Sequence, residues 1–238
     1  MRVLLVATLH HPQALEDARR AAPPGEKPLF PPSQAQYFWV RALRRQGHTC
    51  AVFWRSESAF PWARTRQIRM TQRMTPARAI GALAGRAPAL NPDIRLRNRR
   101  LLAQARAFQP DAIILIGDNR VILPDILARL KRETGAALVY ISTNEVFDGR
   151  ASRPYLEYDR PNPINPYGWS KWVGEQAIRD LVPRHIIVRT AWLFAHGGSN
   201  FVHAILRADR EGRPLRVVTN EISSPTYTND LAEAVAPL

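Results

Sequence analysis

Residues 111–143 read DAIILIGDNRVILPDILARLKRETGAALVYIST, and this stretch decides the fold. Two short apolar runs, DAIILIG at 111–117 and ALVYIS at 137–142, enclose a segment of helical pattern at 122–135. A strand, a helix and a second strand in that order predict a parallel pair with the helix lying across one face. The same alternation extends outward in both directions. Toward the N-terminus lie RNRRLLAQARAF (97–108), TCAVFW (49–54), the helix-like PPSQAQYFWVRALRRQGH (31–48) and RVLLVAT (2–8). Toward the C-terminus lie YGWSKWVGEQAIRDLV (167–182), HIIVRTAWLF (185–194), NFVHAILRADREG (200–212) and LRVVT (215–219). The expectation is an α/β protein with a mostly parallel sheet and helices on both faces. Two regions break the rhythm: a proline-rich loop at 9–31 after the first strand, and a basic, alanine-rich insertion at 57–92. Loops at the carboxyl ends of such strands carry ligand contacts, so the first is a candidate binding loop.

The chain has 238 residues, enough for one large or two small units with a sizeable core. Its longest apolar runs are strand-length, so no membrane span is expected and the opening MRVLLVATLHHP is too short in its apolar part for an export signal. Cys50 is the single cysteine, which excludes an internal disulfide and suits a reducing, cytoplasmic setting. The formal charge of +14 sits entirely in residues 1–110, which hold 19 basic and 5 acidic side chains. Such an excess suits phosphate-bearing surfaces, so a peripheral contact with the anionic inner face of a membrane is one expectation; a solvated arginine-rich surface is the plainer one. Nucleic acid is not an expected partner, because no aromatic interleaving or recognition motif accompanies the charge. No Cys/His cluster has zinc spacing, so no metal is expected. His10, His11 and His196 fall in loops and are read as solvated or, less specifically, as ligand-facing.

A nucleotide-binding α/β sheet commonly opens a glycine-rich turn straight after its first strand, where backbone N–H groups approach a pyrophosphate. Here the first glycine is Gly25, and LHHPQALEDA follows the strand instead. The usual cradle is therefore not expected at that turn.

The second half carries chemistry. In NPYGWSKWVGEQAI, Asn165 suits a helix cap and Pro166 its first turn, which places Tyr167 and Lys171 on one face. A ketone that receives hydride develops charge on its oxygen, and a phenol in reach can deliver the compensating proton. An ammonium one turn away favours the phenolate and lowers the working pH of the pair. A strand-end hydroxyl would hold the carbonyl oxygen, and ALVYIST offers Ser142 and Thr143. Only three cations in the chain are lysine, so a lysine here suggests that a compact ammonium is needed. On spacing alone, a packed Tyr167 with a solvated Lys171 is equally admissible.

From about residue 138 to 238, the segments ISTNEVFDG, RPYLEYDRPNPINPYGWSKWVGEQAI, HIIVRTAWLF, NFVHAILR and SSPTYTNDLAEAV resemble dTDP-4-dehydrorhamnose reductases, which are extended short-chain dehydrogenases. The resemblance implies reduction of a nucleotide-linked 4-keto-6-deoxysugar by NADPH or NADH. It implies that Thr143 polarises the carbonyl, that Tyr167 donates the proton, and that Lys171 tunes it and holds the nicotinamide ribose. Asn144, Glu145, Trp192, Ser224 and Thr226 would contact the sugar nucleotide. The family commonly reads S-T-D-Y-V-F where this chain has Ser142 to Phe147, so an acidic and an aromatic side chain are altered. The chain also stops early relative to that family, at Leu238. Residues 1 to about 140 instead resemble, loosely, the N-terminal Rossmann-like domain of a GT-B glycosyltransferase. Together these readings predict a Rossmann-like three-layer sandwich. It would be a hybrid of two related half-folds, with a glycosyltransferase-like half at 1–137 and a truncated reductase-like half at 138–238. A glycosyltransferase fragment in cell-envelope polysaccharide assembly and a non-catalytic sugar-nucleotide-binding module are the competing readings.

Overall fold

The computed structural model describes residues 1–7, 35–54, 91–116, 122–195, 200–215, 217, 219 and 221–237. The proline-rich loop, His10, His11, His196 and all but the last two residues of the 57–92 insertion lie outside these residues. Strands β1 (Arg2–Ala7), β2 (Thr49–Trp54), β3 (Ala112–Leu115), β4 (Ala137–Thr143) and β5 (His185–Thr190) form one sheet in the order β2-β1-β3-β4-β5. All four pairings are parallel. The predicted sheet is thus present, and it runs without interruption through residues 137 and 138.

Helices α1 (Ala35–Arg45), α2 (Pro92–Phe108), α3 (Pro124–Thr134) and α4 (Pro166–Leu181) supply the crossovers. Each of the last three begins with proline at its first turn, where the missing N–H costs nothing. Asn91 and Asn165 cap α2 and α4 with their side chains, while Gly135 ends α3 in the left-handed conformation at φ 69°. Pro92 therefore belongs to α2 rather than to the insertion.

Alternation along the strands builds two cores. Val3, Leu5, Ala7, Val139 and Ile141 face Trp39 and Leu43 of α1 and Ala232 and Val235 of the last helix, α6 (Thr228–Val235). Leu4, Val6, Leu138 and Tyr140 face Leu101 of α2, Leu130 of α3 and Ile178 of α4. Strands buried on both faces read as continuous apolar runs, which is why 2–7 and 112–115 carry almost no polar residue. After β5 the chain forms a two-stranded sheet, β6 (Leu193–Phe194) with β7 (Thr226–Tyr227), and in sequence α5 (Phe201–Arg210) lies between these two strands. His48 joins the amino terminus at 3.3 Å to the Ala236 carbonyl at 2.8 Å, tying α6 to the start of β1. Among the described residues no helix is long and apolar enough to cross a membrane.

Candidate functional site

Strand order reverses between β1 and β3, because β2 lies on one side of β1 and β3 on the other. In open α/β sheets ligands bind outside the carboxyl ends of the strands near such a reversal. The carboxyl ends of β4 and β5 are where the sequence-expected residues converge.

β4 ends at Thr143, in register with Thr190 of β5, and passes into a 3-10 turn, η1 (Asn144–Val146). Thr143 Oγ1 caps that turn by accepting from the Glu145 amide at 3.3 Å. Its neighbour Ser142 points to the opposite face and donates to Glu175 at 2.6 Å. Of the two hydroxyls the sequence offered, Ser142 turns to Glu175, and Thr143, which itself donates to Asn144 Oδ1 at 3.3 Å, is the one that stands at the strand end.

The α4 helix meets this edge with its first turn. Asn165 Oδ1 accepts from the Gly168 amide at 2.7 Å, and the Asn165 carbonyl accepts from Trp169 at 3.0 Å. Gly168, Lys171, Glu175 and Ile178 form the buried stripe of α4, while Tyr167 remains 48% exposed at the helix start. Lys171 is only 1% exposed. Its ammonium donates to the Ile141 carbonyl at 2.5 Å and lies 4.4 Å from the Tyr140 ring centroid. The solvated lysine that spacing alone admitted is thus excluded, because burying an ammonium is costly without such partners.

Gly168 is required here. A Cβ at this position would stand 2.0 Å from the Glu145 carbonyl oxygen, so η1 and α4 approach backbone to backbone. Gly168→Ala is expected to lower stability by about 1–3 kcal/mol by forcing the two apart, read as a lowered Tm in thermal melts.

The remaining candidates distribute unequally. Trp192 follows β5 with φ 42°, a left-handed conformation rare for a bulky residue, and its ring lies 5.7 Å from Phe201. Thr226 pairs with Leu193 and donates its amide to the Trp192 carbonyl at 3.3 Å. Asn144 donates to Ser223 at 3.5 Å, which brings the 223–226 segment to the end of β4; Ser224 is exposed beside that contact. The Glu145 carboxylate accepts from Asn165 at 2.7 Å.

Two features were not foreseen. The first is Glu175, fully buried, which accepts from Ser142 and from Arg189 Nε and Nη2 at 3.1 and 2.8 Å. Its spacing four residues after Lys171 was the available signal. The second is the loop after η1. Asp148 accepts from Tyr155 at 2.6 Å and from Asn162 at 2.9 Å, and these hydroxyl and amide donors hold its carboxyl down at about 2. Arg153 chelates Asp159 through two contacts of 2.8 Å and lowers that carboxyl to about 2 as well. A carboxyl depressed on folding stabilises above its unfolded value and loses that contribution as pH falls through its folded one. The 147–162 loop is therefore expected to loosen between about pH 3.8 and about pH 2, with amide exchange at Leu156 as the readout. Asp148→Asn should remove the Asp148 share of this transition.

A five-stranded parallel sheet layered between helices, with polar groups gathered at the carboxyl edge of β4 and β5, defines a Rossmann-like α/β protein. The RmlD substrate binding domain family matches residues 120–238, half of the chain, and the chain belongs to that family. It is 49% identical over 104 residues to the spore coat polysaccharide biosynthesis protein SpsK of Bacillus subtilis, covering 44% of this chain and 37% of that protein. It is 34% identical over 148 residues to a dTDP-4-dehydrorhamnose reductase of Salmonella typhimurium, covering 62% of this chain and 48% of that one. The chain spans less than half the length of these curated relatives. Among solved structures, a dTDP-4-dehydrorhamnose reductase of Bacillus anthracis in complex with NADP superposes with a TM-score of 0.65 at 23% identity, covering 99% of this chain and 69% of that one. The Bordetella bronchiseptica enzyme WbmH in complex with NAD+ superposes with a TM-score of 0.62 at 13% identity, covering 99% and 71%.

These superpositions include the first half of the chain. The glycosyltransferase resemblance expected for residues 1 to about 140 finds no support: β1, β2 and β3 are strands of the same sheet as β4. Apolar strands and amphipathic helices are common to all doubly wound folds, so loose similarity there carried no family information.

Proposed function

We propose that the chain performs the NAD(P)H-dependent reduction of a nucleotide-linked 4-keto-6-deoxysugar. The reading is carried by the Lys171 ammonium, buried against the Ile141 carbonyl near the end of β4, with Tyr167 half-exposed four residues earlier in the same helix. The relatives named as reductases support the reaction class.

The described residues fit the nicotinamide end of such a coenzyme. Thr190 Oγ1 is buried with no hydrogen-bond partner, in register with Thr143, and an orphaned buried hydroxyl is the kind of group a ligand completes. Lys171 would hold the nicotinamide ribose. The residues that follow β1, where a pyrophosphate would approach, lie outside the described ones. The coenzyme supplies the hydride.

The protein's part is binding, orientation and proton supply. Thr143 donates to the keto oxygen and concentrates charge there as the carbon is reduced. Tyr167 delivers the proton that neutralises this oxygen, and its half-exposed position leaves room for the sugar on the outer side. Lys171 places a fixed positive charge one turn below, which favours the phenolate left behind. Trp192, held by its backbone contact to Thr226, offers a flat ring to the sugar nucleotide; Asn144, Ser224 and Thr226 supply polar contacts at the same edge.

Loss of reduced nicotinamide absorbance on addition of a dTDP-4-keto-6-deoxysugar tests this reading. Turnover is the expected result. Binding of the sugar nucleotide with no oxidation of coenzyme would instead favour a non-catalytic module.

A further inference from the structure

Glu145 lies among the residues expected to touch the sugar nucleotide, yet its carboxylate is engaged within the protein. Its Oε2 accepts from Asn165 Nδ2 at 2.7 Å in a part-buried setting. The orientation of the Asn165 amide is fixed from the other side. Oδ1 must be the atom that accepts from the Gly168 N–H, so Nδ2 is left to donate, and an acceptor is needed opposite it. Glu145 supplies that acceptor. Its own amide donates to Thr143 Oγ1, and its carbonyl oxygen lies where only a glycine at 168 can approach.

These contacts form one string. It runs from the Thr143 hydroxyl through the backbone and carboxylate of Glu145 to the cap of α4, two residues before Tyr167. The helix has no acidic residue in its own first turn, so the Glu145 carboxylate is also the negative charge that complements its N-terminal dipole. We propose that Glu145 is a positioning residue, which holds the Asn165 cap and thereby sets where the Tyr167 phenol stands relative to Thr143. The functional part of this inference rests on the reductase reading; the clamp itself does not.

Three variants of the full chain, Glu145→Ala, Glu145→Gln and Asn165→Ala, test it through two readouts. The first is amide exchange at Gly168 and Trp169, which needs no activity. Glu145→Ala is expected to lower protection there by about fivefold, the size of a weakened helix cap, and Glu145→Gln, which keeps an acceptor, is expected to restore it. The second is steady-state reduction. Displacing a catalytic group by about an ångström costs up to ~100-fold, so Glu145→Ala should lower kcat by about 10- to 100-fold with KM for the sugar nucleotide little changed. Glu145→Gln should rescue kcat. Asn165→Ala should repeat the Glu145→Ala result, and combining those two substitutions should add nothing further.

A raised KM in both Glu145 variants, with exchange at Gly168 and Trp169 unaltered, would overturn the proposal and make Glu145 a substrate contact. Should the wild-type chain turn over no sugar nucleotide, the reductase reading fails by itself. The exchange arm then decides the clamp alone: loss in Glu145→Ala with recovery in Glu145→Gln sustains it, and protection in both Glu145 variants equal to that of the wild type refutes it.

Discussion

Replacing Tyr167 by phenylalanine is expected to lower coenzyme-dependent reduction by about 10²- to 10⁴-fold, the range for removing a positioned general acid. The fold should tolerate the change. Half the ring is exposed, and the buried stripe of α4 is built from Gly168, Lys171, Glu175 and Ile178 instead. Coenzyme affinity should also persist, because the ribose contact is assigned to Lys171. Steady-state rates beside a binding titration separate the two quantities. A variant that retains wild-type kcat would reassign the proton donor.

The largest effect on stability is expected at Glu175. This carboxylate has no solvent exposure and receives Ser142 from β4 and two guanidinium nitrogens of Arg189 from β5. Arg189, itself part-buried, donates to the Glu157 carbonyl and stacks over Phe147 at 4.9 Å, so the pair it makes with the buried Glu175 joins β4, β5, α4 and the loop after η1. Removing one partner of such a pair strands the other charge, and Glu175→Ala should cost about 3–5 kcal/mol in denaturant unfolding. Glu175→Leu combined with Arg189→Met should recover part of that loss, since an apolar pair of similar volume carries no desolvation penalty. No recovery in the double variant would show that the hydrogen bonds of Arg189 to the loop matter more than its charge.

Much of the sheet was legible because its signals are local. Runs such as AIIL and VLLVA bury both faces, and the proline and asparagine at the start of α4 announce a helix end within four residues. Tyr167 and Lys171 were legible for the same reason, since helical spacing alone puts them on one face. What stayed hidden depends on pairs far apart in sequence. Glu145 meets Asn165 across 20 positions, Asn144 meets Ser223 across 79, and Glu175 meets Arg189 across 14. The departure from an aromatic residue at 145 was visible in the sequence and suggested altered substrate contacts. Only the structure reveals that the new carboxylate faces a helix cap. The first half misled for a related reason: its strands and helices satisfy burial on any doubly wound sheet, and no side chain there marks one family over another.

Titration of the chain with NADPH, followed by quenching or enhancement of nicotinamide fluorescence, bears on the whole account at once. Saturable binding is expected for the wild-type protein and for Tyr167→Phe, with a clear weakening in Lys171→Met. A flat titration with folded wild-type protein would contradict a reductase site at the ends of β4 and β5, whatever the geometry of its phenol and ammonium.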